Sequence, residues 1–270
     1  MNHLTAATLG FATALASWSF EADAHDYWLE FSPASQGQIA LHLYVGECLE
    51  MDEERVYQPA LTEAFTGYRN GKARDLSSLA TPDANPLARF AIGDKTLPSL
   101  IVFERGWSYI ELDAEKFEGY LKDEGFVDAI AERKVRKESR LPGRERYRRH
   151  LKALVPGAPQ EAIDTSPIGK RLELVPLEAP AGLKAGDTVA VRLLFDGRAL
   201  AEAPVEVCQR QPDSKVSIGR AITDDDGVAR LPIAQSGMTL IRAVQMRRVT
   251  DQDSKADWES FWTSYSLIVP

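Results

Sequence analysis

Two cysteines and four histidines in 270 residues leave too little for a disulfide framework or a His/Cys-rich metal cage. Neither Cys48 nor Cys208 stands at metal-ligand spacing from a histidine. Positive charge is also short: 40 Asp and Glu face 32 Lys and Arg, a formal charge of -8, which argues against a nucleic-acid binder driven by counterion release. The chain has no Gly-rich phosphate loop, Gly-x-Ser-x-Gly elbow, His-Glu-x-x-His or Cys-x-x-Cys, so hydrolase and nucleotide readings lose most of their support. Beyond the first two dozen residues every long apolar stretch is broken by charge, which leaves no helical transporter body. What is present, 44% hydrophobic and 9% aromatic residues, suffices for a sizeable core and points to two domains.

The first segment is the exception. Leu4 to Phe20 carries no charge and is followed by Glu21-Ala22-Asp23-Ala24, whose alanines suit a signal-peptidase site three and one positions before the cut. Residues 1–24 therefore read as a signal peptide cleaved after Ala24, with a periplasmic mature chain beginning at His25. Loss of Glu21 and Asp23 brings the formal charge to -6. Export would permit a Cys48–Cys208 bridge, although two buried thiols are equally compatible with the sequence.

The mature chain opens on the alternation of a half-buried strand. Tyr27, Leu29 and Phe31 share one face, opposite Asp26, Trp28 and Glu30, and a turn at residues 35–38 leads to a second strand carrying Ile39, Leu41, Leu43 and Val45. Asn70-Gly71 marks a tight hairpin, and 100–103 with 108–112 add strands. Asp113 can cap a helix bearing Phe117, Tyr120 and Leu121, broken at Gly125; the apolar spacing of Tyr147, Leu151 and Leu154 after Pro142-Gly143 predicts another helix. Residues 133–152 hold ten Lys and Arg, expected to coat a solvated helix face. After a linker at 158–169, seven strands follow, separated by Asp196-Gly197, Asp226-Gly227 and Ser236-Gly237 turns. The expectation is a mainly β protein: an N-terminal β-sandwich over 25–165 with helical segment 113–156, and a C-terminal Ig-like or transthyretin-like sandwich over 166–270.

His25 is the sharpest chemical feature. As a first residue it offers its α-amine and ring Nδ1 as a chelating pair, and both release protons near neutrality. With the first hairpin turning near residue 35, residues summing to about 70 face each other, which sets His25 near 45–47. Asp26 and Glu47 are then the nearest carboxylate ligands, and His42 is a weaker candidate on the order of 10 Å along the ladder. His150 reads as a helical packing or surface residue. Asp224-Asp225-Asp226-Gly227 reads as a hairpin turn, since Gln235 stands where a calcium loop needs Glu. Asp251, Asp253, Asp257 and Glu259 read as solvated surface; Trp258, Phe261, Trp262 and Tyr265 read as an aromatic cluster closing the sandwich.

Several runs carry a resemblance: Ala24-His25-Asp26-Tyr27-Trp28-Leu29-Glu30, Ile110-Glu111-Leu112-Asp113-Ala114-Glu115-Lys116-Phe117 with Tyr120-Leu121-Lys122-Asp123-Glu124-Gly125, Tyr147-Arg148-Arg149-His150-Leu151-Lys152-Ala153-Leu154, Leu172-Glu173-Leu174-Val175-Pro176, and Ala256-Asp257-Trp258-Glu259-Ser260-Phe261-Trp262. In this order they resemble an exported bacterial domain-of-unknown-function family whose members are commonly labelled nickel-transport or nickel-uptake components. The resemblance implies a metal-ligand role for His25, and it departs at Gln245, where members often carry His.

The expectation is therefore a non-catalytic binder of nickel, cobalt or copper, or of a small metal chelate, serving uptake beside a membrane metal transporter or outer-membrane receptor. Two other readings stand beside it. A copper-dependent oxidase using His25 would need a second convergent His; a metal-free interaction module would leave His25 incidental.

Overall fold

The computed structural model describes residues 25–35, 37–211, 213–251 and 255–270; the signal peptide expected over 1–24 lies outside them. In chain order the strands are β1 (Asp26–Ala34), β2 (Gln38–Glu47), β3 (Glu50–Glu54), β4 (Thr62–Arg69), β5 (Lys72–Asp75), β6 (Ala88–Ala91) and β7 (Leu100–Leu112). Helices α1 (Ala114–Asp123) and α2 (Val127–Val135) precede β8 (Gly143–Leu154), β9 (Leu172–Pro176), β10 (Thr188–Phe195), β11 (Arg198–Ala199) and β12 (Pro204–Arg210). The last four are β13 (Val216–Ile222), β14 (Val228–Pro232), β15 (Gly237–Arg248) and β16 (Trp258–Val269). No helix among the described residues is long and apolar enough to cross a membrane.

The centre is an eight-stranded sheet in the order β13-β12-β15-β16-β8-β7-β4-β5. It takes strands from both sides of the boundary expected at 165, and its two halves meet where β16 pairs in parallel with β8 (Trp258↔Glu145 to Ser266↔Ala153). Alternation along β7 shows what each face covers. Ile101 and Phe103 pack with Leu29, Leu41 and Leu43 of a small sheet made of β1, β2, β3 and β6; Leu100 and Val102 pack with Leu174, Val191 and Leu231 of another made of β9, β10, β11 and β14. The small sheets thus lie on opposite faces of the large one. The helices share the face of the first small sheet, setting Phe117, Tyr120 and Leu121 over Val244, Met246, Trp258 and Trp262.

Asp113 caps α1 as expected, accepting the Lys116 N–H at 2.9 Å, and Gly125 ends the turn at φ +78°. Asn70-Gly71 forms the tight hairpin with both residues at positive φ. Trp258, Phe261, Trp262 and Tyr265 are all buried, but not as the one cluster expected: Phe261 and Tyr265 join the core on one face of β16, Trp258 and Trp262 the helix-covered core on the other.

Several expectations are corrected. The helical segment does not run to 156: after α2 the chain extends into β8, and His150 sits on that strand. The run expected as a solvated helix face instead sets Arg144, Arg146, Arg148, His150 and Lys152 on one face of β8, against Asp257, Glu259, Glu63, Glu104 and Glu173 respectively. Gly143 is required at its start, because a Cβ there would stand 2.1 Å from the Phe117 ring.

Glu259 is buried between Arg146 and Arg247 and is not surface; Asp253 lies outside the described residues. The Asp224–Gly227 turn is not a hairpin, because β13 belongs to the large sheet and β14 to a small one. Asp224 Oδ1 there accepts the N–H groups of Asp226 and Val228. Nor is β1 half-buried: Leu29 and Trp28 are both fully buried, Trp28 within a second cluster with Cys48, Leu49, Cys208, Met238 and Leu240. Both faces are covered because β1, an edge strand, sets its open edge on the large sheet, where the Ser264 and Ser266 hydroxyls donate to the Tyr27 and Leu29 carbonyls.

Candidate functional site

The first hairpin places the candidate ligands. Its closing pair is Ala34↔Gln38, with Gly37 in the left-handed region at φ +69°. The register therefore sums to 72, two more than expected: Asp26 faces Gly46, Trp28 faces Tyr44 and Glu30 faces His42. Cys48 and Cys208 form a disulfide that ties the β2–β3 turn to β12.

His25, Asp26 and Glu47 come together at one cavity of about 450 Å³, closed on the far side by Lys116, Tyr120 and Glu124 of the α1 region and floored by Arg242 of β15. His25 is half-buried; its Nδ1 lies 3.4 Å from Asp52 Oδ2 and its carbonyl accepts from Arg149 Nη2 at 3.0 Å. Glu47 is exposed at the rim. His42 does not join them. It is held by Ser32 Oγ and Glu54 Oε1, both at 2.8 Å, and stacks on Tyr44. Gln245 points its amide to its neighbour's carbonyl, Met246 O, at 3.4 Å.

Asp26 is committed as well. Its Oδ2 accepts the Cys48 N–H at 3.0 Å, and its Oδ1 stands 2.6 Å from Arg242 Nε, close enough for an ion pair although the N–H is not aimed along that line. Arg242 also donates from Nη2 to Glu124 (2.7 and 2.8 Å) and from Nη1 to Glu206 (2.6 Å), so one partly buried guanidinium serves three carboxylates. Burial alone would lower its pKa, but those carboxylates outweigh it and the value is raised. Burial raises Asp26 despite Arg242, and pushes Glu124 up to about 7.

Behind the cavity wall Tyr120, stacked on Trp262, donates to Glu145 Oε1 at 3.2 Å; Ser260 Oγ donates to the same oxygen and receives the Trp262 indole N–H at 2.9 Å. Glu145 is buried and burial pushes it up to about 7. A carboxyl whose folded value lies above its unfolded one stabilises the fold fully below about pH 4.5, and this contribution is lost as pH rises through about 7. Glu145→Gln keeps the Oε1 acceptor and removes the titration. Its unfolding free energy should be less pH-dependent than that of the parent between pH 5 and 8, and higher by up to about 3 kcal/mol at pH 8. Urea unfolding at both pH values measures this, and an unchanged pH 5 to pH 8 difference would refute the assignment.

Arg242, Tyr120, Glu124 and Asp52 are the site residues that sequence reading missed. Arg242 carried a signal, being the lone charge inside Thr239-Leu240-Ile241-Arg242-Ala243-Val244; the others sit in ordinary amphipathic or acidic runs.

A hairpin, a helix and the central sheet thus define a cavity rich in carboxylates around a fixed guanidinium. A family model described as a domain of unknown function, DUF4198, matches residues 22–247. The chain belongs to the DUF4198 family. No curated protein and no solved structure matches it.

Proposed function

We propose that the protein is exported, processed after Ala24, and binds a nickel, cobalt or copper ion, or a small chelate of one, at the mouth of the His25 cavity, serving metal uptake or handling without catalysis. The observation that carries this reading is the position of His25 at the rim of the cavity with a second carboxylate, Asp52, 3.4 Å from its Nδ1. Among the described residues no group of three or more His, Cys, Asp or Glu is arranged around a metal position, so the donors fit an ion only if processing frees the His25 amine. Amine, Nδ1 and the Asp52 carboxylate would then hold it, with Glu47 at the rim. The metal would supply the recognition point for a chelate.

The Cys48–Cys208 bridge supports an oxidising compartment. A membrane transporter or outer-membrane receptor is the partner this reading implies. It also treats the two small sheets, each with its share of the central sheet, as the Ig-like or transthyretin-like halves 25–165 and 166–270. The copper-oxidase reading has less support, since the imidazole it would recruit, His42, is engaged by Ser32 and Glu54.

The test is calorimetric titration of Cu²⁺, Ni²⁺ and Co²⁺ into protein whose first residue is shown by mass to be His25. His25→Ala should weaken copper binding on the order of 100-fold, and Asp52→Asn about 10-fold. Equal affinity in parent and His25→Ala would overturn the reading.

A further inference from the structure

A second cavity, of about 470 Å³, opens on the other face of the central sheet between Glu104, Arg148, His150, Lys170, Arg171 and Asp196. Nothing in the metal reading uses it. His150 is 3% exposed, yet its Nε2 has no hydrogen-bond partner; Thr263, directly across the parallel ladder and on the same face, has a buried hydroxyl equally without one. Of the two, His150 lines the cavity, and a buried polar atom without a partner at a cavity wall calls for a ligand group.

The tautomer of His150 follows from its neighbours. Nδ1 lies 3.2 Å from Glu104 Oε2, and Lys170 Nζ lies 2.5 Å from Oε1. Burial works against the charged form of Glu104, but His150 and Lys170 outweigh it and hold its pKa below the ordinary value. The ionised Glu104 accepts a hydrogen bond from Nδ1–H, so the ring proton stays on that nitrogen. Burial, with Arg148 and Lys170 nearby, lowers the imidazole's own pKa, so Nε2 presents a lone pair.

The cations set the other half of the recognition. Lys170 and Arg171 lie on a loop fixed from below, where the Glu173 carboxylate accepts the N–H groups of Ile168, Gly169 and Lys170 at 2.8 to 3.0 Å and the Lys152 ammonium at 2.7 Å. Arg171 rests over Phe261 and pairs with Asp196, which Arg247 also holds. Arg148 lies over Trp107 with its Nε unpartnered and its Nη2 on Glu63, outside the cavity lining. Three cations therefore line the cavity against two carboxylates. That balance disfavours a metal ion at Nε2 and favours an anion.

We propose that this cavity binds a small oxyanion that also carries an O–H, such as hydrogen phosphate or a hydroxycarboxylate, its anionic oxygens on Arg148, Lys170 and Arg171 and its hydroxyl donating to His150 Nε2. Lys170→Gln and Arg171→Gln test the charged half, since both side chains are partly exposed and the protein should stay folded by circular dichroism. Arg144→Gln, on the strand that carries Arg148 and His150 but outside the cavity, is the control. Calorimetry with phosphate against sulfate, and with malate against succinate, tests the hydroxyl and tells the two sources of oxyanion apart.

The expected result is that phosphate, malate or both bind at least about tenfold tighter than the partner lacking the O–H, and that each cavity substitution weakens that binding by about tenfold while Arg144→Gln does not. Absence of binding by both phosphate and malate at 10 mM (a concentration of about 10⁻² M, weaker than about 3 kcal/mol) would overturn the proposal. So would equal binding of sulfate and succinate, or binding indifferent to Lys170 and Arg171.

Discussion

Protein carrying Cys48→Ser and Cys208→Ser is expected to unfold with up to about 5 kcal/mol less free energy than the disulfide-bonded form, lowering Tm by roughly 10 to 20 °C. The magnitude comes from the unfolded chain. The bridge joins residues 160 apart in sequence, and the loop it closes restricts the denatured ensemble more than a short loop would. In the folded state the junction has other support: Trp28, Leu49, Met238 and Leu240 pack around the sulfurs, and Arg210 donates to the Leu49 carbonyl at 3.1 Å while pairing with Glu30. Near-ultraviolet circular dichroism of the folded variant should therefore match that of the parent. A free-energy loss below about 1 kcal/mol would show that the denatured chain is already constrained near this contact.

Arg242→Met should cost about 3 to 5 kcal/mol at pH 8, because it leaves Asp26, Glu124 and Glu206 facing one another with their shared cation gone. Asp26 is the worst placed, at 5% exposure and with only the Cys48 N–H remaining of the contacts described above. The sign of the pH dependence follows from the directions of the shifts. Burial already raises Asp26 and Glu124, and losing the guanidinium raises both further, so at pH 5 the carboxyls take up protons and the penalty shrinks. Urea unfolding of variant and parent at pH 5 and pH 8 measures the difference. A loss of the same size at both values would mean that packing against Trp262, and not charge, is what Arg242 contributes.

Much of the strand pattern was legible. The first hairpin, the Asn70-Gly71 turn and the Asp113 cap appear where local chemistry puts them. β8 was not legible, for a specific reason. Tyr147, Leu151 and Leu154 fit a helical stripe, while the period-two signal resides in Arg144, Arg146, Arg148, His150 and Lys152, which hydrophobicity counts as surface. Each of the five instead meets an acid from a distant segment, and no local window holds that information. The same limit applies to the His25 cavity: the hairpin brought Asp26 and Glu47 within view, but Arg242 is more than 190 positions from Glu47 and Asp52 reaches His25 only through the β3 return.

The position of β16 bears on the order in which the molecule can be made. It is the last strand along the chain, yet it stands between β15 and β8 and supplies the parallel seam on which both halves of the large sheet depend. While a ribosome is still adding residues 258–269, β8 and β15 have no common partner, and β1, which packs against both β8 and β16, lacks half its bed. Assembly of the large sheet must wait until synthesis has passed that strand, so β4, β5, β7 and β8 on one side and β12, β13 and β15 on the other stay unjoined until then.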